Sequence, residues 1–135
     1  MNISRIDHIV LTVKDINTTV QFYESVLGMT AEVFGEGRVS LMFGNQKINL
    51  HKQGQEFEPK ANKPTPGSED LCFITEIKLD VAMEHVRNKG VEILEGPVVR
   101  TGATGVIISF YFRDPDNNLI EVANYEKGHE RCGLV

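Results

Sequence analysis

From Arg5 to Val13 the chain is rich in β-branched residues, with Ile9, Leu11 and Val13 as its more apolar set, the pattern of a β-strand. The period then changes. Asp15 or Asn17 can cap a helix carrying Val20, Tyr23 and Val26/Leu27 at helical spacing, and Gly28 stands where a left-handed residue ends one. Short apolar runs at Met29 to Phe34, Arg38 to Phe43 and Lys47 to His51, separated by Gly35-Glu36-Gly37 and Gly44-Asn45, predict three further strands. The first unit is therefore βαβββ and occupies residues 1–52.

Residues 53–68 are polar and hold Pro59, Pro64 and Pro66, which predicts a connector. A second unit over 69–126 repeats the order. Leu71 to Thr75 reads as a strand, Asp80 as the cap of a helix through Val81, Met83 and Val86, and Gly90 as its end. Strands near Val91 to Leu94, Val106 to Phe112 and Asn118 to Ala123 follow, the last two joined by the turn Asp114-Pro115-Asp116-Asn117, with 127–135 as a tail. An offset of 62 carries both Gly28 onto Gly90 and His8 onto Asp70, so helix ends and strand starts repeat together. One βαβββ unit cannot bury a sheet face alone. Two that pair make an α+β domain with a curved eight-stranded sheet, a helix on the outer face of each half and a concave pocket.

Side chains alternate across a strand, so the apolar set fixes which residues face that pocket. With Ile9, Leu11 and Val13 under the helix, His8, Val10 and Thr12 face inward. The same parity sends Asp70, Cys72 and Ile74 inward from the fifth strand, Asn49 and His51 from the fourth, and Leu119, Glu121 and Ala123 from the last. His8, His51, Asp70 and Glu121 would then converge from four strands, and a divalent metal would satisfy all four where burial alone would cost several kcal/mol per charge.

The chain of 135 residues carries 14 basic and 19 acidic side chains, a net charge of -5, without a basic block, which argues for a small-molecule partner rather than nucleic acid or an anionic membrane. No apolar run approaches the ~20 residues of a membrane span, and no secretory signal opens the chain, so a cytoplasmic place is expected. Cys72 and Cys132 read as a core thiol and a tail thiol in a reducing compartment. His85, on a helix, and His129, in the tail, read as exposed and uninvolved.

Several stretches resemble the glyoxalase, bleomycin-resistance and ring-cleaving dioxygenase superfamily, the vicinal-oxygen-chelate group. They are Asp7-His8-Ile9-Val10-Leu11, Phe22-Tyr23-Glu24-Ser25-Val26-Leu27-Gly28-Met29, Glu95-Gly96-Pro97-Val98, and Phe112-Arg113-Asp114-Pro115-Asp116 leading to Leu119-Ile120-Glu121. Asp70-Leu71-Cys72-Phe73-Ile74-Thr75 and Arg100-Thr101-Gly102-Ala103 are similar to small glyoxalase-domain proteins, virulence-associated ones among them. The resemblance implies metal ligands at His8, His51, Asp70 and Glu121, and it implies a homodimer. Fosfomycin-resistance proteins and extradiol dioxygenases carry a second His where this chain has Asp70. The one-ligand-per-module-edge pattern of glyoxalase I and methylmalonyl-CoA epimerase fits better.

A site of this kind keeps open positions for substrate on Ni, Zn, Co, Fe or Mn. The implied activity is a glyoxalase-like lyase or isomerase (lactoylglutathione lyase-like) acting on a small vicinal-oxygen substrate through an enediolate, with Glu121 as the base and Asp70 as the second candidate. Thr12, Asn49 and Arg100, the last in a glycine-bearing loop that is either a pocket cover or a plain hairpin connection, are the candidate substrate contacts. Thr12 stands where glutathione-using glyoxalases tend to carry Arg, which implies weak use of glutathione. An iron-dependent extradiol-type dioxygenase and a non-catalytic, bleomycin-resistance-like binding protein remain the alternative readings.

Overall fold

The computed structural model describes residues 1–130, with side chains through Glu126. Cys132 and the side chain of His129 lie outside the described residues. The elements run β1 (His8–Val13), α1 (Ile16–Leu27), β2 (Thr30–Phe34), β3 (Arg38–Phe43), β4 (Gln46–Lys52), β5 (Asp70–Ile74), α2 (Leu79–Asn88), β6 (Glu95–Thr101), β7 (Gly105–Arg113) and β8 (Leu119–Glu130). The class is α+β, as expected. The strands form two mixed sheets of four, ordered β1-β4-β3-β2 and β5-β8-β7-β6. In each, the first and last strands of the module run parallel and the remaining pairs antiparallel.

The chain divides into two compact units. Among the described residues, one holds 1–69 together with 115–117 and the other 70–114 and 118–130. In the first, Thr19, Tyr23 and Val26 recur at i, i+4 and i+7 on α1 and are buried. Leu11, Val13, Leu41, Ile48 and Leu50 supply the sheet's side of that core, each no more than 2% exposed. The Asp15 side chain caps α1, accepting from the Thr18 amide at 2.8 Å, and Gly28 ends it at φ 69°, as its position predicted. The Lys14 amide donates to Asp116 Oδ1 at 3.3 Å, tying the 115–117 turn to this unit.

In the second unit α2 buries Leu79, Met83 and Val86 at the same spacing, against a core that includes Ile107, Phe110, Phe112, Ile120 and Val122. Asp80 is not its cap. Burial of Leu79 starts the helix one residue earlier, so Lys78 is the N-cap without a side-chain bond and Asp80 lies in the first turn. Nor is Val91 to Leu94 a strand: the Val91 amide still bonds the Val86 carbonyl at the helix end, and of the four only Leu94 reaches β7, its amide on the Tyr111 carbonyl, before the ladder opens at Glu95. The last strand is longer than expected, because Asn124 and Tyr125 continue the ladder opposite Ile108 and Ile107 and the backbone stays extended to Glu130, inside the expected tail. The Asp114 to Asn117 turn forms as predicted. Asp114, 4% exposed, accepts from the Asn118 amide at 2.9 Å and from its carboxamide at 2.8 Å. Among the described residues no helix is long and apolar enough to cross a membrane.

Candidate metal and substrate site

In the first unit, parity places His8, Val10 and Thr12 on one face of the sheet beside Lys47, Asn49 and His51, as the apolar pattern indicated. The register decides what these residues can do together. His8 is level with Lys47, whereas His51 is level with Thr12. The two backbone positions are offset by four residues, about 13 Å along the strand. Asn49, level with Val10, lies nearer to His8 than His51 does.

His8 is exposed, and its Nδ1–H donates to Asp7 Oδ2 at 2.9 Å. That bond, the largest cause, holds the Asp7 carboxyl below its usual range. An imidazole oriented in this way presents Nε2 as a free donor atom. His51 is instead 8% exposed, with its ring edge-on to Phe57 at 5.6 Å. Burial, then the Arg38 charge, lowers its pKa, with Glu56 opposing, so the ring is neutral near pH 7. The Asn49 Oδ1 atom is buried and has no hydrogen-bond partner.

In the second unit Glu121 on β8 lies level with Cys72 on β5 and with Tyr111 on β7. Cys72 and Tyr111 are thus its neighbours across the two ladders, and burial together with its charge raises the pKa of both. Arg100 Nε in turn donates to the Tyr111 hydroxyl at 2.9 Å, while its Nη2 meets Glu95 at 3.4 Å. Tyr111 is raised in pKa, chiefly by burial, with the Arg100 bond opposing and the Glu121 charge adding. Asp70 is exposed and level with Leu119, on the same face as Glu121 and two positions along. Ser109, fully buried and two positions from Tyr111, has a hydroxyl without a partner.

Two expectations change here. Arg100 is not in a loop: it belongs to β6, and its guanidinium is engaged by Tyr111, Glu95 and the Val99 carbonyl. The connection after it is a hairpin, closed by the Gly102 amide on the Gly105 carbonyl at 2.7 Å and by the Thr104 amide on the Tyr125 hydroxyl at 3.1 Å. Cys72 is exposed rather than a core thiol. Tyr111 and Ser109 escaped the sequence reading although parity could have found them, since they alternate with the core residues Phe110 and Phe112.

Cys72 permits a direct check of this second group. Partial burial, followed by the adjacent Glu121 charge, pushes its thiol up to about 11. At pH 8 the thiolate is then roughly a hundredfold scarcer than in an ordinary cysteine. In a Cys132→Ser background, iodoacetamide should alkylate Cys72 about that much more slowly than free cysteine, and Glu121→Gln should speed the reaction. Alkylation at the free-cysteine rate would show that Glu121 and the thiol are apart.

Among the described residues no group of three or more His, Cys, Asp and Glu side chains forms a ready metal cluster. The donors stand in pairs. His8 and Asn49 are diagonal neighbours on one sheet, and Asp70 and Glu121 are diagonal neighbours on the other.

The family model for the Glyoxalase/Bleomycin resistance protein/Dioxygenase superfamily matches residues 5–122. The chain belongs to that superfamily. It is 59% identical over 125 residues to virulence protein STM3117 of Salmonella typhimurium, covering 93% of this chain and 87% of the relative. The crystal structure of STM3117 superposes with a TM-score of 0.92 over 93% of this chain and 100% of the other. An integron cassette protein from the mobile metagenome of V. cholerae is 64% identical with a TM-score of 0.92, over 93% and 98% of the two chains. A metallothiol transferase, FosB of Staphylococcus epidermidis, is 30% identical over 123 residues, 90% of this chain and 82% of the relative.

Proposed function

We propose that this chain is a metal-dependent, glyoxalase-like lyase or isomerase that acts on a small substrate bearing two adjacent oxygens. The observation that carries the reading is the Asn49 carboxamide oxygen, buried without a partner on the face that also presents His8. Leaving such an acceptor unmade costs about 1–3 kcal/mol, and a cation is the partner its chemistry suits. The donor types suit a divalent ion such as Ni, Zn, Co, Fe or Mn: an imidazole oriented by Asp7 and a neutral amide oxygen in the first unit, and the carboxylates of Asp70 and Glu121 in the second. His51 is replaced by Asn49 in this set, because the register carries it away from His8.

Such an ion would supply Lewis acidity toward the substrate's oxygens. The proton chemistry falls to Glu121, which takes a proton from one carbon and returns it to the next. Tyr111 and Cys72 flank that carboxylate on the neighbouring strands, and Arg100 holds Tyr111. The membership of a metallothiol transferase in the same set of relatives supports the metal reading. A homodimer is part of the proposal. Edge strands β2, β5 and β6 carry Val33, Ile74 and Val99 at 46–73% exposure, apolar surface of the kind a second copy covers.

The test is turnover of a vicinal-oxygen substrate panel, including the methylglyoxal–glutathione hemithioacetal and a catechol, before and after chelation. Chelation should abolish turnover and a divalent metal should restore it, without oxygen uptake. Turnover that survives chelation, or oxygen consumption with the catechol alone, would overturn the proposal.

A further inference from the structure

A second chemistry-bearing feature lies wholly within the first unit and takes no part in the reading above. It is a cavity of about 520 Å³ between the His51 end of the β1–β4 pair and the connector that follows β4. Its floor holds two polar side chains, Thr12 and His51, level with each other across the parallel ladder and each 8% exposed. Neither the Thr12 hydroxyl nor the His51 ring nitrogens have a hydrogen-bonding partner among the described residues. Two adjacent polar groups, more than nine-tenths buried and aimed into a cavity of ligand size, point to an occupant that hydrogen-bonds them.

The wall sets the charge of that occupant. Lys60 lines the cavity but is engaged by Glu56 at 3.8 Å and Glu58 at 3.2 Å. Lys63 also lines it, and its ammonium has no ion pair among the described residues. Thr65 and Ser68 spend their hydroxyl protons on the Lys63 and Thr65 carbonyls, so they add acceptors rather than anion-binding donors. With one unspent cation and Glu69 on the same wall, a monoanion is matched and a phosphate dianion is not. Val10, Ala61 and Pro64 leave room for a short aliphatic body.

We propose that this cavity is a binding site for a small 2-hydroxy- or 2-oxo-carboxylate, its carboxylate on Lys63 and its second oxygen between Thr12 and His51. The site is separate from the proposed metal donors and does not rest on them. Its occupant sits at the opposite end of the β1–β4 ladder from His8.

The experiment is an NMR titration of the full chain, stripped of metal by chelation, with 2-hydroxybutyrate, 2-hydroxybutyramide and inorganic phosphate as separate probes. 2-Hydroxybutyrate should shift amide resonances around Thr12, His51 and Lys63 saturably, and the amide and phosphate should not. Lys63→Met, an exposed position that leaves the fold intact, should weaken binding about tenfold. Thr12→Val should weaken it severalfold. Absence of saturable shifts, equal affinity for the amide, comparable binding of phosphate, or unchanged affinity in Lys63→Met would each overturn the assignment. Because every titration lacks metal, failure here leaves the proposed metal chemistry standing, and the reverse also holds.

Discussion

Gly96→Ala is expected to destabilise the protein by about 3–5 kcal/mol, a large share of the 5–15 kcal/mol that holds a typical domain together. Gly96 has φ 132°, a backbone conformation that side-chain-bearing residues rarely adopt. A Cβ there would lie 2.5 Å from the Phe110 Cβ, 2.7 Å from its Cα and 2.8 Å from the Ser109 carbonyl oxygen. Two of those three atoms are backbone, and the ring of Phe110 is fully buried, so nothing nearby can give way cheaply. Overpacking of this kind costs about 1–3 kcal/mol, and the unfavourable φ adds about 1–3 kcal/mol. Gly90 provides the contrast: its φ is 81° but a Cβ would meet nothing within 4 Å, so Gly90→Ala bears only the conformational cost. Urea denaturation of both variants checks the difference. A Gly96→Ala midpoint equal to that of Gly90→Ala would contradict the close approach of β6 to β7.

The second large effect concerns function. Glu121→Ala should lower turnover about a thousandfold, the general-base contribution at the upper part of its usual range, and weaken metal binding at least a hundredfold. Glu121→Gln keeps the size of the side chain and one oxygen but removes the charge and the proton acceptor, so it should retain part of the metal affinity with little of the activity. Tyr111→Phe removes the hydroxyl that neighbours the carboxylate and accepts from Arg100. Its expected loss is about tenfold in kcat with a smaller change in KM. Equal kcat in Glu121→Gln and the native protein would remove Glu121 from the proton transfer.

The parts of this arrangement that were legible in the sequence are those fixed by local periodicity. Alternation in β1 separated Leu11 and Val13 from His8, Val10 and Thr12, and helical spacing marked Tyr23 and Val26 on the buried face of α1, where Thr19 rather than Val20 completes the set. The Asp15 cap and Gly28 stop are local signals of the same kind. Register was not legible. Whether His51 or Asn49 lies nearer His8 depends on how β4 slides along β1, a strand tens of residues earlier, and hydrogen-bond pairing at that distance leaves no mark on composition. Arg100 was misread for a related reason. Gly102 and Gly105 flank it on one side only, and what draws Arg100 into a strand is its non-local partner Tyr111. The start of α2 shows burial overriding capping propensity, since Leu79 goes into the core ahead of Asp80.

The central claim is that one divalent ion is held by a set containing His8 and Glu121 but not His51. Cobalt(II) titration of chelator-stripped protein, followed by its visible absorption, measures this most directly. The account predicts saturation at one ion per chain, loss of the band in both His8→Ala and Glu121→Ala, and an unchanged stoichiometry and spectrum in His51→Ala. Loss of cobalt binding in His51→Ala with retention in His8→Ala or Glu121→Ala would contradict it.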